Sequence, residues 1–346
     1  MKRWAFRGAL LLLAAALAAG GGAWWMYDRV QEPFRGYAEP ERFVDIPSGA
    51  GPAAIGRRLI AAGVVSDEWT FRAALLMSGH ARILKAGEYR FDAPLNTVSV
   101  IEKIARGDVH KRLLTIREGL TVAQTAALFE QREFGTSADF IAAAQNRALI
   151  ADIDPAATDL EGYLFPETYA LPRDTPATGV VAQMLGLFKK ALTDDLRAAA
   201  AAEGLTIRQV MTLASLVEKE TASADERPLV AAVYRNRLKR GMPMQADPTV
   251  IYALQKAGTY DGNLSRADLQ FDSPYNTYRY PGLPPGPIAS PGRASIVATI
   301  HPASVGYLYF VSKNDGTHVF STTLAEHNRN VQTWQVQYFR KLRQGR

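Results

Sequence analysis

The stretch Thr206-Ile-Arg-Gln-Val-Met-Thr-Leu-Ala-Ser-Leu-Val-Glu-Lys-Glu-Thr221 predicts an amphipathic helix. Thr206 is a suitable N-cap, because its side-chain oxygen can accept a hydrogen bond from the first free backbone N–H groups. At about 100° per residue, the apolar side chains share one side of the helical wheel, and Glu218 falls among them. Thr212 and Glu220 fall on the opposite side and are expected to face solvent. The pattern therefore turns one carboxylate, Glu218, toward the core.

Glu218 is a candidate acid–base group on physical grounds. Burial disfavours the charged form of a carboxylate, and a position in the last helical turn, near the negative end of the dipole, acts in the same direction. A carboxylic acid that is still protonated near neutral pH can protonate the leaving oxygen of a glycosidic bond. The alternative is a structural glutamate that pairs with a buried arginine or caps another segment.

The N-terminal segment predicts a membrane anchor. Residues 8–27 contain no charged side chain, and a run of about 20 apolar residues spans a bilayer core. Lys2, Arg3 and Arg7 precede this run, so the positive-inside rule places residues 1–7 in the cytoplasm and the remaining chain outside. A cleaved signal peptide is the alternative, since Ala16-Leu-Ala18 resembles a cleavage site. The apolar run continues past that site, which favours the anchor.

The composition narrows the classes of function. The 346 residues include no cysteine, which excludes disulfides, thiolate metal sites and a cysteine nucleophile. The formal net charge of +6 fits an acidic polymer or anionic lipid as a partner. No block of lysine and arginine is dense enough to indicate nucleic acid. The histidines lack the spacing of a zinc motif, so no metal or other cofactor is expected.

The chain after the anchor divides into a linker at residues 28–41 and two larger parts. Residues 42–110 alternate short strands with helices closed by glycine, which indicates a small α+β module. Residues 111–346 are predicted to form a mainly helical domain with short strands. The predicted fold class is therefore α+β, with an N-terminal transmembrane helix.

A short sequence pattern that occurs once in each of these two parts supports a repeated unit. Gly49 and Gly119 each follow a strand end by three residues and precede a helix start. This strand, glycine turn and helix resemble the opening of a LysM module, a small fold that holds N-acetylglucosamine polymers. A purely structural module is the alternative.

Two loops after the Glu218 helix carry candidate sugar-binding residues. Gln245 has no evident local role, and its amide could bond a sugar hydroxyl or N-acetyl group. Asp247 precedes a proline and could equally serve as a helix N-cap. Aromatic rings with a hydroxyl suit sugars, which offer apolar faces rimmed by hydroxyls. Further candidates in the proline-rich segment 271–286, which could also be a plain connector, are Tyr275, Asn276 and Tyr278.

These pieces resemble the endolytic murein transglycosylases, the MltG or YceG-like proteins of the bacterial inner membrane. The resemblance covers nearly the whole chain, and its sharpest stretches are 213–221, 245–252, 264–269, 275–278, 282–288 and 301–311. It identifies residues 42–110 with a LysM-like module and residues 111–346 with the YceG-like catalytic domain. The family's catalytic glutamate carries over onto Glu218.

The resemblance implies cleavage of the β-1,4 bond between N-acetylmuramic acid and N-acetylglucosamine in nascent peptidoglycan, which ends strand elongation. Glu218 would protonate the glycosidic oxygen and then take the proton from the muramyl 6-hydroxyl as that oxygen attacks C1. The product is a 1,6-anhydro end. The implied partners are glycan strands, the inner membrane and peptidoglycan synthases, with the C-terminal domain in the periplasm. The residues implied to bind the sugars are Gln245, Asp247, Tyr275, Asn276 and Tyr278.

Two other classes of function remain open. A lysozyme-like hydrolase would need a second carboxylate near Glu218, and Asp247 is the candidate for it. A non-catalytic, membrane-anchored factor that binds glycan during cell-wall assembly is the third.

Overall fold

A long apolar helix, α1 (Lys2–Gln31), opens the chain. The structure is a computed structural model that describes residues 2–344. Met1 of the predicted cytoplasmic segment and the last two residues of the predicted 111–346 domain therefore lie outside the described residues. Within the described chain, one helix is long and apolar enough to cross a membrane, at Leu10–Gln31 with a mean hydropathy of 1.5. The predicted mixture of helices and short strands with one N-terminal apolar helix is confirmed.

The chain separates into two compact units. Unit 1 comprises the residues up to Arg112 together with Ala170–Asp174, and unit 2 comprises Leu113–Tyr169 and the chain from Thr175 onward. Besides α1, the elements of unit 1 are β1 (Arg42–Ile46), α2 (Pro52–Ala61), α3 (Glu68–Ser78), β2 (Gly87–Phe91) and α4 (Thr97–Arg106).

The core of unit 1 forms between a two-stranded sheet and its helices. Strands β1 and β2 are antiparallel, with Val44 opposite Tyr89 and Ile46 opposite Gly87. Alternate residues of a strand point to one face, so Val44, Ile46, Tyr89 and Phe91 are buried together against α2, α3 and α4.

The segment after the predicted membrane span also belongs to unit 1. Val30 is fully buried in its core, and the Arg29 guanidinium donates to the Asp67 carboxylate over 2.7 Å. Tyr37 is buried, and its hydroxyl donates to the Phe91 carbonyl. The predicted linker at residues 28–41 thus contributes two side chains to this core.

Unit 2 is built mainly from helices. Strands β3 (Lys111–Thr115) and β4 (Thr168–Pro172) pair with each other. Strands β5 (Tyr309–Ser312) and β6 (His318–Ser321) form an antiparallel hairpin. The helices are α5 (Val122–Gln131), α6 (Ser137–Ala144), α7 (Ala177–Ala191), α8 (Asp194–Ala202), α9 (Ile207–Glu220), α10 (Arg227–Lys239), α11 (Asp247–Ala257), α12 (Arg293–Ile300), α13 (Leu324–Val331) and α14 (Tyr338–Gln344).

Helix α9 is the central helix of unit 2. The predicted N-cap is confirmed: the Thr206 hydroxyl accepts the Gln209 N–H, and the Gln209 side chain accepts the Thr206 N–H. The prediction that Thr212 and Glu220 face solvent is wrong, whereas the neighbouring Lys219 is exposed. Helices α8, α10, α11 and α12 all contact α9, so Thr212 is 2% exposed and Glu220 is partly buried. A helical wheel sorts residues by polarity and cannot show that a helix is covered on several sides.

Candidate active site

A cavity of about 280 Å³ opens beside the last turn of α9. It brings together three of the predicted sugar-binding residues and one carboxylate that the sequence did not single out. The polar residues that line it include Glu220, Tyr234, Gln245, Asp247, Tyr278 and His327.

Glu220 has the properties expected of an acid–base group. Its Oε1 accepts a hydrogen bond of 2.8 Å from the hydroxyl of Tyr234, which is fully buried. Burial raises the pKa of Glu220 to about 7, the hydrogen bond from Tyr234 opposes this shift, and the charge of Asp247 adds to it. A substantial fraction of this carboxyl is therefore protonated at neutral pH.

The wall of the cavity is held by a buried arginine. The Arg237 guanidinium donates to the carbonyls of Leu308 and Met244 over 2.6 and 2.8 Å. Gln245, the next residue, has a φ of 51°, which is a left-handed conformation that a residue with a side chain rarely adopts. Such strained positions cluster at functional sites. The exposed Gln245 is thus fixed at the rim of the cavity.

Asp247 is tied across the cavity to Tyr278. Helix α11 begins at Asp247 and its N-cap is Ala246, so the predicted N-cap role of Asp247 is wrong. Instead, the Tyr278 hydroxyl donates to Asp247 Oδ1 over 2.5 Å. The side chain remains exposed and lies close enough to Glu220 to influence its ionisation.

Glu218 lies elsewhere, at the start of α12. Its Oε2 accepts hydrogen bonds from the Gly292 N–H over 3.1 Å and from the Ser295 hydroxyl over 2.7 Å. The side chain is 7% exposed, and its Oε1 lies 3.9 Å from Arg227. These contacts match the structural alternative, in which the glutamate caps another segment and pairs with an arginine. Its predicted catalytic role stays a prediction.

A second carboxylate does accompany Glu218, but it is Glu118 and not Asp247. Glu118 lies 3.9 Å from the same Arg227, and burial together with the charge of Glu218 raises its pKa. A Cβ at position 292 would overlap the Glu118 carboxylate, so Gly292 makes room for it. Glu118 and Glu218 line a separate open cavity of about 530 Å³.

Tyr275 and Asn276 do not line the Glu220 cavity. Asn276 is fully buried, its amide donates to the carbonyls of Leu269 and Phe271, and its oxygen accepts the Tyr278 N–H. Because its hydrogen-bonding groups are already used, we assign Asn276 to holding the loop that carries Tyr278. The Tyr275 ring packs against Tyr252 at 4.9 Å between centroids, and its role in sugar binding stays a prediction.

Three comparisons place the chain among known proteins. Residues 44–333 match the model of the YceG-like family. The chain belongs to the YceG-like family. The resemblance drawn from the sequence is therefore confirmed.

The relatives of this YceG-like protein include two proteins named endolytic murein transglycosylase and one protein of known structure. The endolytic murein transglycosylase of Bacillus subtilis (strain 168) is 33% identical over 303 residues, covering 83% of this chain and 82% of that protein. The one from Streptococcus pneumoniae serotype 2 (strain D39) is 32% identical over 325 residues, and the chain spans only 57% of its length. The crystal structure of a YceG-like protein from Listeria monocytogenes matches with a TM-score of 0.58 and 30% identity, covering 84% of this chain and 99% of that one.

The helical wheel does not reveal Glu220 as a site residue of this YceG-like protein. It was assigned to solvent because it lies about 200° from Glu218 on the wheel. The signal that could have found it is the position of the predicted sugar-binding residues: Asp247 begins α11 and Gln245 lies just before it, and α11 packs on α9.

A third carboxylate, Glu161, is also buried in unit 2, with 8% of its surface exposed. It accepts the Val122 N–H at the start of α5 and the Tyr252 hydroxyl, and burial raises its pKa to about 7. Its contacts give it a structural role that joins α5 to α11.

Proposed function

We propose that this YceG-like protein is an endolytic lytic transglycosylase of peptidoglycan. It would cleave the MurNAc–GlcNAc β-1,4 bond of nascent glycan strands, leave 1,6-anhydroMurNAc ends and so end strand elongation. Relatives that are one-third identical carry the name endolytic murein transglycosylase. In this chain the observation that carries the proposal is the carboxyl of Glu220, with its raised pKa, in a cavity beside Gln245, Asp247 and Tyr278.

We assign the acid–base role to Glu220. In its protonated form it would donate the proton to the glycosidic oxygen, and the C1–O bond would break with positive charge developing on the muramyl ring. The resulting carboxylate would take the proton of the muramyl 6-hydroxyl while that oxygen bonds to C1. One carboxyl can perform both steps because it ends the cycle protonated. Tyr234 occupies Oε1, which leaves Oε2 for the substrate.

The remaining cavity residues would bind and orient the sugar. The strained, exposed Gln245 offers an amide for the N-acetyl group or a hydroxyl. The exposed Asp247 carboxylate, held by Tyr278, offers an acceptor for sugar hydroxyls and a negative charge near the developing positive charge. Glu218 is the second candidate for the acid–base role, since the sequence resemblance points to it.

Product analysis tests the proposed reaction. The purified full-length protein in detergent is incubated with isolated glycan strands, and the products are examined by mass spectrometry. We expect ends that are lighter by one water than the ends formed by hydrolysis. Reducing ends would instead indicate the lysozyme-like hydrolase, and intact strands would indicate the non-catalytic assembly factor.

We also propose a single-pass membrane topology. Residues 1–7 would lie in the cytoplasm, residues 8–27 would span the inner membrane, and the rest would lie in the periplasm, because Lys2, Arg3 and Arg7 precede the uncharged run. A reporter that is active only in the periplasm, fused after Arg346, is expected to be active. A cytoplasmic C-terminus, or a mature chain that lacks residues 1–20, would contradict this topology.

Residues 42–110 would serve as a LysM-like module and residues 111–346 as the catalytic domain. The left-handed Gly49, with a φ of 79°, makes the turn between β1 and α2 that supports the LysM resemblance. Absence of affinity of the full-length protein with Glu220→Gln for N-acetylglucosamine oligomers would contradict a glycan-holding role. Peptidoglycan synthases would be its partners, which cross-linking in intact membranes can test.

A further inference from the structure

His327 lines the same cavity as Glu220 and is fixed there by its surroundings. It lies in the first turn of α13, which is capped by the Thr323 hydroxyl accepting the Glu326 N–H. The imidazole stacks on the ring of Tyr309, with centroids 5.2 Å apart and planes 22° apart. The Arg237 guanidinium lies over the same Tyr309 ring, 5.1 Å from its centroid. The imidazole therefore has one well-defined orientation.

The two ring nitrogens of His327 differ in their exposure. Nδ1 is enclosed and has no hydrogen-bond partner among the described residues. Nε2 is not enclosed in this way, and within residues 2–344 no hydrogen bond to it is formed. The enclosed Nδ1 cannot be reached by solvent or ligand, so Nε2 is the polar atom that the ring offers to the cavity.

The surroundings of His327 favour the neutral form of the imidazole. Burial lowers the pKa of His327, and the positive charge of Arg237 lowers it further. A neutral ring can form a hydrogen bond without adding a second positive charge close to a sugar that itself becomes positive during cleavage. A cationic side chain at this place would oppose the reaction assigned to Glu220.

We propose that His327 is a substrate-contacting residue, whose Nε2 forms a hydrogen bond with a hydroxyl or acetamido group of the sugar bound beside Glu220. The inference rests on the proposed function. A polar atom that meets water in the free protein and finds no partner in the complex weakens binding by about 10-fold to 100-fold. Loss of Nε2 should therefore appear mainly in KM, because this contact is present in the bound substrate as well as in the transition state.

Three variants of the full-length protein separate this contact from a packing role. His327→Phe keeps the stacking on Tyr309 but has no nitrogen. His327→Gln carries an amide at about the distance of Nε2, whereas His327→Asn carries it at about the distance of Nδ1. We expect Phe and Asn to lower kcat/KM by about 10-fold to 100-fold, mainly through KM, and Gln to stay within about 3-fold of the wild type.

The control is His80→Phe. His80 lies in unit 1, lines no part of the cavity and also has an enclosed Nδ1 without a partner among the described residues. It should keep the wild-type kcat and KM. Melting temperatures of all variants show whether packing has changed.

The proposal would be overturned if His327→Phe had the same kcat/KM as the wild type. It would also be overturned if the Phe and Gln variants lost equal amounts of kcat/KM. If the wild type and His327→Phe release anhydro ends at the same rate, the contact with His327 is rejected and the proposed reaction is retained. Wild-type protein that releases none would reject the proposed reaction. Binding of glycan strands by wild type and His327→Phe then still decides the contact, since equal dissociation constants would overturn it.

Discussion

Glu220→Gln should abolish the release of anhydro ends by a protein that stays folded. Glutamine keeps the shape of the side chain, and its oxygen can still accept the Tyr234 hydroxyl. It can neither donate nor accept the proton. General acid–base catalysis contributes ~10²–10⁴ in rate, and a residue that acts in both steps should reach the upper end of that range. The measurement is the rate of anhydro-end formation, with the melting temperature as a check of folding.

Glu218→Gln is the matched variant, two residues away on the same helix. Its Oε2 accepts from the Gly292 N–H and the Ser295 hydroxyl. An uncharged amide oxygen is a weaker acceptor for both bonds, and an amide no longer pairs with Arg227. We expect a loss of stability of about 1.5–3 kcal/mol, the usual worth of a hydrogen bond to a charged group, with activity per folded molecule retained. The opposite outcome, an inactive but stable Glu218→Gln and an active Glu220→Gln, would restore the sequence-based assignment.

The pH dependence of the wild type gives the same assignment a second test. Burial raises the pKa of Glu220 from 4.5 to about 7. The cycle starts from the acid form, so kcat/KM should fall as pH rises through about 7. The fold prefers the protonated form, so the stability that this group contributes is present below pH 4.5 and is lost as pH rises through 7. The Glu220→Gln variant should lose this component of the stability profile.

Asn276→Ala should destabilise unit 2 strongly. The change removes three hydrogen bonds and leaves the partly buried carbonyls of Leu269 and Phe271 without this donor. We expect a loss of about 3 kcal/mol, because each of the three hydrogen bonds contributes ~0.5–1.5 kcal/mol. For a unit of this size that corresponds to a fall in melting temperature of about 6–12 °C. The measurement is a thermal melt of the purified full-length protein.

An exposed asparagine in the loop before this segment supplies the control. Asn263→Ala removes a side chain that is exposed, and its melting temperature should stay within about 2 °C of the wild type. An unchanged melting temperature for Asn276→Ala, combined with reduced turnover, would point back to the direct sugar contact predicted from the sequence.

Local signals in the sequence predicted the secondary structure well. The positions of the site residues depend on contacts between residues that are distant in the chain. The Thr206 cap is found at the predicted residue, because a cap is encoded by near neighbours along the chain. Glu220 was misplaced because its partner Tyr234 comes from a different helix. The sequence predicts a sugar contact for Asn276 because local sequence does not show that its amide bonds the backbone of its own loop.

The continuity of α1 affects how unit 1 would be attached to the membrane. Arg29 and Val30 lie within three residues of Tyr27, where the predicted span ends, and both contact unit 1. A helix rises ~1.5 Å per residue, so the core of unit 1 would begin about 5 Å from the end of the span. Such a junction would be rigid, and it would hold unit 1 at the membrane surface. A soluble fragment that begins at Arg42 would lose Val30 and Tyr37 from that core, so solubility would be gained at the expense of folding.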